Sequence, residues 1–158
     1  MNADPEGAGR AEWHRTFAIE TFNRSWDLLE EPERGAADDD EMLAVAFASR
    51  WHWGHVGDAE NRAIGDHQIA KVAAELGLGK MAHRYAARAL AVADGEGWTG
   101  WRAAAVREGM ARAAHAAGDP AERDRWLAAA KVALAAEEDA DDRQVILDQL
   151  RQIPGWTD

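Results

Sequence analysis

Alanine supplies 36 of the 158 residues, whereas Val, Ile and Thr together supply 16. Alanine loses no rotamer freedom in a helix and β-branched side chains do, so this balance commits the backbone to helix over strand. Leu, Ile, Val and Phe sum to only 25 residues, which with a formal charge of −11 borders on a disordered composition. Eight tryptophans and long periodic Ala-rich segments argue for a packed core instead. A chain of this length is expected to form one domain. The reading is an acidic, soluble, all-α domain, and no motif in it specifies an activity.

Several functions are excluded on elementary grounds. The strong negative charge opposes a phosphate backbone, so nucleic acid is not an expected partner. No run of apolar residues is long enough to span a membrane, and the start, Met1 to Gly7, has neither the basic nor the apolar part of a signal peptide. The absence of cysteine removes disulfides, thiolate zinc sites and a thiol nucleophile together. Cytoplasmic residence fits best. There is no GxSxG, no phosphate-binding glycine loop and no dinucleotide fingerprint, so neither an enzyme nor a cofactor is expected. The acidic runs at 38–40 and 137–142 read as helix starts, because a calcium loop needs a ligand spacing and a central glycine that neither has.

Breaker residues divide the chain into seven helices. The first runs from about Ala11 to Glu30 and stops before Pro32. The second continues from the Asp38-Asp39-Asp40 start to Val56, where Gly57-Asp58 reads as a C-terminal glycine followed by an N-cap. Gly77 and Gly79 close the third helix, and the fourth runs to about Ala93. The fifth spans about Trp98 to Ala117, and Gly118-Asp119-Pro120 then supplies C′ glycine, N-cap aspartate and first-turn proline in succession. The sixth ends near Glu138, and a short seventh runs from Asp141 to just before Pro154. Residues 1–10 are expected to be a flexible N-terminal segment, 11–153 the helical domain and 154–158 a tail. Short loops between such helices give consecutive antiparallel hairpins.

Gly77 followed by Ala82, Tyr85, Ala89 and Leu90, with Ala70 and Ala73 before it, resembles the turn and second helix of a tetratricopeptide repeat. Gly118-Asp119, with Ala111 and Ala114 before it and Trp126 and Ala130 after, resembles a second copy that departs from the pattern at Arg123. The two glycines are 41 residues apart, longer than the repeat's ~34-residue period. The stretch Ser49-Arg50-Trp51-His52-Trp53 is similar to one in bacterial tetratricopeptide-like proteins, a likeness that implies a fold and no activity. The resemblance implies a right-handed array of antiparallel helical hairpins in which the last helix caps the final hairpin. It also implies a groove formed by helices one, three and five. The groove positions map to His67, Lys71 and Glu75 on helix three and to Glu108, Arg112 and His115 on helix five; the plain alternative is that all six are solvated faces. Lys71 and Arg112 facing each other would favour an acidic segment of a partner protein or peptide.

A second cluster follows from helical periodicity. Arg62 and Asp66 fall inside the apolar face of helix three at the spacing of a direct ion pair. Helix two is apolar nearly all round, the pattern of a central helix, with Ser49, Arg50, His52 and His55 as its polar exceptions. The Gly57 turn should bring His52, His55, Arg62 and Asp66 together. Two histidines and a carboxylate meet the minimum for a metal, but Arg62 beside them opposes a cation, so no metal is expected there. The readings that remain are hydrogen-bonded core histidines or a small anionic ligand. Seven of the twelve aromatic residues lie between Trp13 and Trp53 and read as core, as an aromatic-lined pocket or as a homodimer interface. Trp98, Trp101 and Trp156 read as covers for core edges. The sequence points to a non-enzymatic protein- or peptide-binding module; the alternative is a small-molecule or metal-binding sensor or enzyme built on His52, His55, Arg62 and Asp66.

Overall fold

A computed structural model describes residues 5–157. They form seven α-helices and, among the described residues, no strand: α1 Pro5–Glu30, α2 Ala36–Val56, α3 Ala59–Glu75, α4 Gly79–Gly95, α5 Gly100–Ala116, α6 Pro120–Leu134 and α7 Ala140–Arg151. Helix α1 starts at Pro5 rather than Ala11, so 5–10 of the segment expected to be flexible are helical, and 1–4 lie outside the described residues. Helix α6 ends at Leu134, short of Glu138, because Asp139 turns its carboxylate onto the amides of Asp141 and Asp142 and starts α7 instead. Ile153, at the end of the expected helical domain, is buried; of the tail, Trp156 packs against the α5–α6–α7 core, while Asp158 lies outside the described residues.

The punctuation acts as its chemistry dictates. Gly118 adopts φ +74, the left-handed conformation that suits glycine. Asp119 then accepts from the Glu122 amide at 2.9 Å, and Pro120 occupies the first turn. Asp58 caps α3 in the same way through the Asn61 amide at 2.8 Å. Gly57 differs: its φ is −88, so it is no left-handed terminator. It is small because a Cβ there would sit 2.7 Å from the Trp53 carbonyl oxygen.

Consecutive helices pack into hairpins, α1 with α2, α3 with α4 and α5 with α6, and neighbouring hairpins join through α2–α3 and α4–α5. The odd helices also touch backbone to backbone in series, α1 to α3, α3 to α5 and α5 to α7, whereas even helices reach each other only through side chains, as Phe47 of α2 does Tyr85 of α4 with ring centroids 5.5 Å apart. The array is therefore tighter on the odd side, which makes that layer the inner face. Alanine is what lets the backbones approach: Ala70, Ala73, Ala82, Ala86 and Ala113 pack around Met110 with almost no exposure. The first hairpin uses larger groups, Leu28 and Met42 against Ile69 and Val72.

Centrality falls on a different helix from the one its apolar count suggests. Helix α2 buries only Met42, Ala46, Ser49 and His52, and Trp51 is 57 % exposed. Helices α3 and α5 sit inside the array and bury Gly, Ala and even charged positions along most of their length. Helix α7 lays Ile146 and Leu150, with Ile153 just beyond, against Ala104, Ala111, Leu127 and Leu134, covering the last hairpin. It also leans onto the inner face, where Gln149 Oε1 accepts from Lys71 Nζ of α3 at 2.9 Å.

Candidate functional site

Four odd helices enclose a pocket of about 430 Å³ on the inner face, within the ~300–1,000 Å³ range of small-ligand sites. Helical periodicity builds each wall. Phe22 and Trp26 lie one turn apart on α1, with ring centroids 6.4 Å apart. Helix α3 contributes Glu60, Ala63, Ile64, His67 and Gln68, all on one face. Trp98, just before α5, joins Trp101, Arg102, Ala105 and Val106 of that helix, and α7 closes the fourth side with Asp142, Val145, Ile146 and Gln149. The lining is chiefly apolar and aromatic, with carboxylates at Glu60 and Asp142.

Beneath it lies a buried ionic cluster. Glu108 is fully buried, with its carboxylate 3.6 Å from Lys71 Nζ, 3.9 Å from His67 Nε2 and in direct contact with Arg112 Nε. Burial alone would push this carboxyl up, but Lys71 and Arg112 outweigh it and hold Glu108 down at about 2. Burial pulls His67 down to about 4, so the imidazole is neutral at pH 7, and burial lowers Lys71 as well. Lys71 Nζ also sits 4.8 Å from the Trp26 ring centre. Arg112 is fixed from α7, donating to the Gln149 carbonyl at 2.8 Å and to Gln152 Oε1 at 3.1 Å. Gln68 donates to Ser25 Oγ at 2.5 Å. Among the described residues, three buried side-chain atoms have no hydrogen-bond partner: His67 Nδ1, Gln68 Oε1 and Glu108 Oε2.

Of the six expected groove residues, four are brought together, and their setting is unlike an open groove. His67 lines the pocket, while Lys71, Glu108 and Arg112 form the ionic cluster with α7 across them. The two cations expected to receive an acidic segment are thus engaged by Glu108 and Gln149. Glu75 instead pairs with Arg34 at 2.9 Å, and His115 is exposed beside a shallow cleft.

The other expected cluster does not assemble. Asp66 pairs with Arg50 at 2.8 Å and Arg88 at 3.2 Å, while Arg62 turns back to the Gly57 carbonyl at 2.7 Å. The reason is Gly65, where a Cβ would meet Arg50 Cδ at 2.8 Å: its missing side chain lets α2 lay Arg50 against α3 beside Asp66. Burial still leaves the Asp66 carboxyl above its ordinary value, against the pull of Arg50 and Arg88. His52 and His55 gather instead around His14 of α1. His14 Nδ1 and His52 Nδ1 are 2.8 Å apart, and His55 stacks on His14 with ring centroids at 4.3 Å. No group of three or more His, Asp or Glu among the described residues is arranged to hold a metal ion.

Phe22 and Trp26, for which an aromatic-lined pocket is one of the expected readings, line the inner-face pocket; Trp98, Trp101, Gln68 and Gln149 are pocket residues that sequence reasoning did not assign to a site. The signal for them was periodic: Asp142, Val145, Ile146 and Gln149 fall on one face of α7, as Phe22 and Trp26 do on α1. No protein-family model, curated protein or solved structure matches the chain.

Proposed function

We propose that the chain is a non-enzymatic, tetratricopeptide-like binding module that takes a segment of a partner protein on its inner face. One apolar stem of that segment enters the pocket between α1, α3, α5 and α7. The observation that carries this reading is the pocket itself, with four large aromatic side chains around about 430 Å³. Tryptophan anchors of this kind dominate binding energy where water is excluded. A general base is best tuned near the working pH. The titratable groups under the pocket are tuned away from it, with His67 at about 4 and Glu108 at about 2. No helix of the described residues is long and apolar enough to cross a membrane, and we place the module in the cytoplasm.

A small molecule is the second reading. Its support is that α7 covers much of the inner face, leaving a pocket rather than a continuous groove. The test is a peptide-display selection on the native chain, counter-selected against Ala105→Trp, which fills the pocket. Peptides enriched on the native chain and lost on the filled, still folded variant are expected. Peptides that bind both equally would move the interface elsewhere, and a pocket that takes small apolar probes but no peptide would favour the second reading.

A further inference from the structure

The mouth of the pocket has a definite electrostatic character. Arg102 spans it from α5 to α3, with Nη1 and Nη2 each 3.1 Å from a carboxylate oxygen of Glu60. Its guanidinium carbon lies 6.0 Å from the Trp98 ring centre and 5.6 Å from that of Trp101. The second carboxylate on the lining, Asp142, ion-pairs with no cation among the described residues. The aromatic faces therefore already hold one cation from the chain itself, in front of one carboxylate and near another. Ring faces are the negative poles of the aromatic quadrupole, and cations seated on them are attracted accordingly.

We infer that this pocket selects an organic cation on an apolar body, with Arg102 of the chain holding the place that the incoming cation takes. This rests on the binding-module reading above and specifies its ligand chemistry. Three features favour the exchange. The Arg102–Glu60 pair is about two-fifths exposed, so opening it strands no buried charge. Beneath the pocket Glu108 offsets one of the two charges of Lys71 and Arg112 and His67 is uncharged, which weakens the repulsion an ammonium group meets there. The net charge of −11 draws cations toward the molecule as a whole. An anionic ligand instead meets Glu60 and Asp142 at the lining and the repulsion of the whole molecule.

The test uses three probes of nearly one shape: phenethylammonium, 2-phenylethanol and phenylacetate. Binding is read from the indole N–H signals of Trp26, Trp98 and Trp101 in an NMR titration. The expected order is cation, alcohol, anion, with the cation at least about fivefold tighter than the alcohol. Glu60→Gln combined with Asp142→Asn should remove most of that preference, bringing the ratio of cation to alcohol affinity close to one. Equal affinities for cation and alcohol would overturn the inference while leaving a binding pocket. No response to any probe would overturn the pocket as a binding site. A leucine-flanked lysine peptide supplies the last arm. Competition tighter than the free amine supports a partner segment, whereas a peptide that fails to compete assigns the cation preference to a free amine and overturns the partner reading alone.

Discussion

Glu108→Gln is the substitution for which the structure gives the clearest magnitude. The side chain keeps its shape and loses its charge, leaving Lys71 at 5 % exposure with only Gln149 Oε1 and the Trp26 face. Holding a carboxyl at about 2 rather than its ordinary 4.5 corresponds to about 3 kcal/mol, at ~1.4 kcal/mol per pH unit. The loss measured on breaking buried ion pairs elsewhere, ~3–5 kcal/mol, agrees. The variant should therefore lose about 3 kcal/mol in urea denaturation with an unchanged m-value. Its melting midpoint should fall by about 6–12 °C for a chain of this length. The pH dependence supplies a second readout. A depressed carboxyl stabilises above its unfolded value, and that contribution disappears as pH falls from 4.5 through about 2. Only the native chain should show this low-pH loss, because the decline between 6.5 and about 4 belongs to the neutral His67 and persists in the variant. Adding Lys71→Met should recover at least half of the loss. A cost below about 1 kcal/mol would mean that water reaches the cluster, and a double variant no better than the single would refute the stranded ammonium as its source.

Three further outcomes follow from the geometry. Asp66→Ala should cost about 2–3 kcal/mol by stranding Arg50, whereas Arg62→Ala removes one hydrogen bond worth ~1 kcal/mol; in urea denaturation the two should add within ~0.5 kcal/mol, and strong coupling between them would restore the direct pair. His14 and His52 are both held below the ordinary histidine value, chiefly by burial and then by neighbouring charge that for each includes His55. Their contribution is thus present above about pH 6.5 and lost below it as unfolded imidazoles protonate, and His55→Asn should raise both NMR titration midpoints, with unmoved midpoints counting against the cluster. Gly118→Ala meets open space and suffers only the left-handed backbone, about 1–2 kcal/mol; Gly79→Ala places a Cβ 2.8 Å from the Ala117 backbone and should melt lower, an order whose reversal would refute the close approach of α4 to the end of α5.

Helix positions were legible because their signals are local. Asp58, Asp119 and Gly118 cap or terminate within four residues of themselves, and no distant contact can overrule them. Side-chain partners were less so. Arg62 and Asp66 share a face of one helix, and that spacing suggests a pair. The missing Cβ of Gly65, beside Asp66 on the same helix, admits Arg50 from α2 and decides for that partner instead. Likewise α2 carries Leu43, Val45, Phe47, Trp51 and Trp53, yet the buried helices are α3 and α5, because centrality comes from place in the array. His67, Lys71, Glu108 and Arg112 stood out in the sequence only as positions that the resemblance implied for an open groove, and the structure places them at the pocket and in the ionic cluster under it. That α7 would lie over them depends on how the last helix docks, which no local pattern encodes.

The bond between Lys71 and Gln149 joins residues 78 apart in the chain, while the hairpins on either side are closed by near neighbours. During synthesis the ribosome therefore releases most of the array before the element that completes the pocket. Until α7 docks, Arg112 lacks its bonds to Gln149 and Gln152, and water is expected to take their place. The pocket is consequently completed only after the hairpins that frame it. A protease acting in the 135–139 connection would return the inner face to that earlier wet condition without touching a single hairpin.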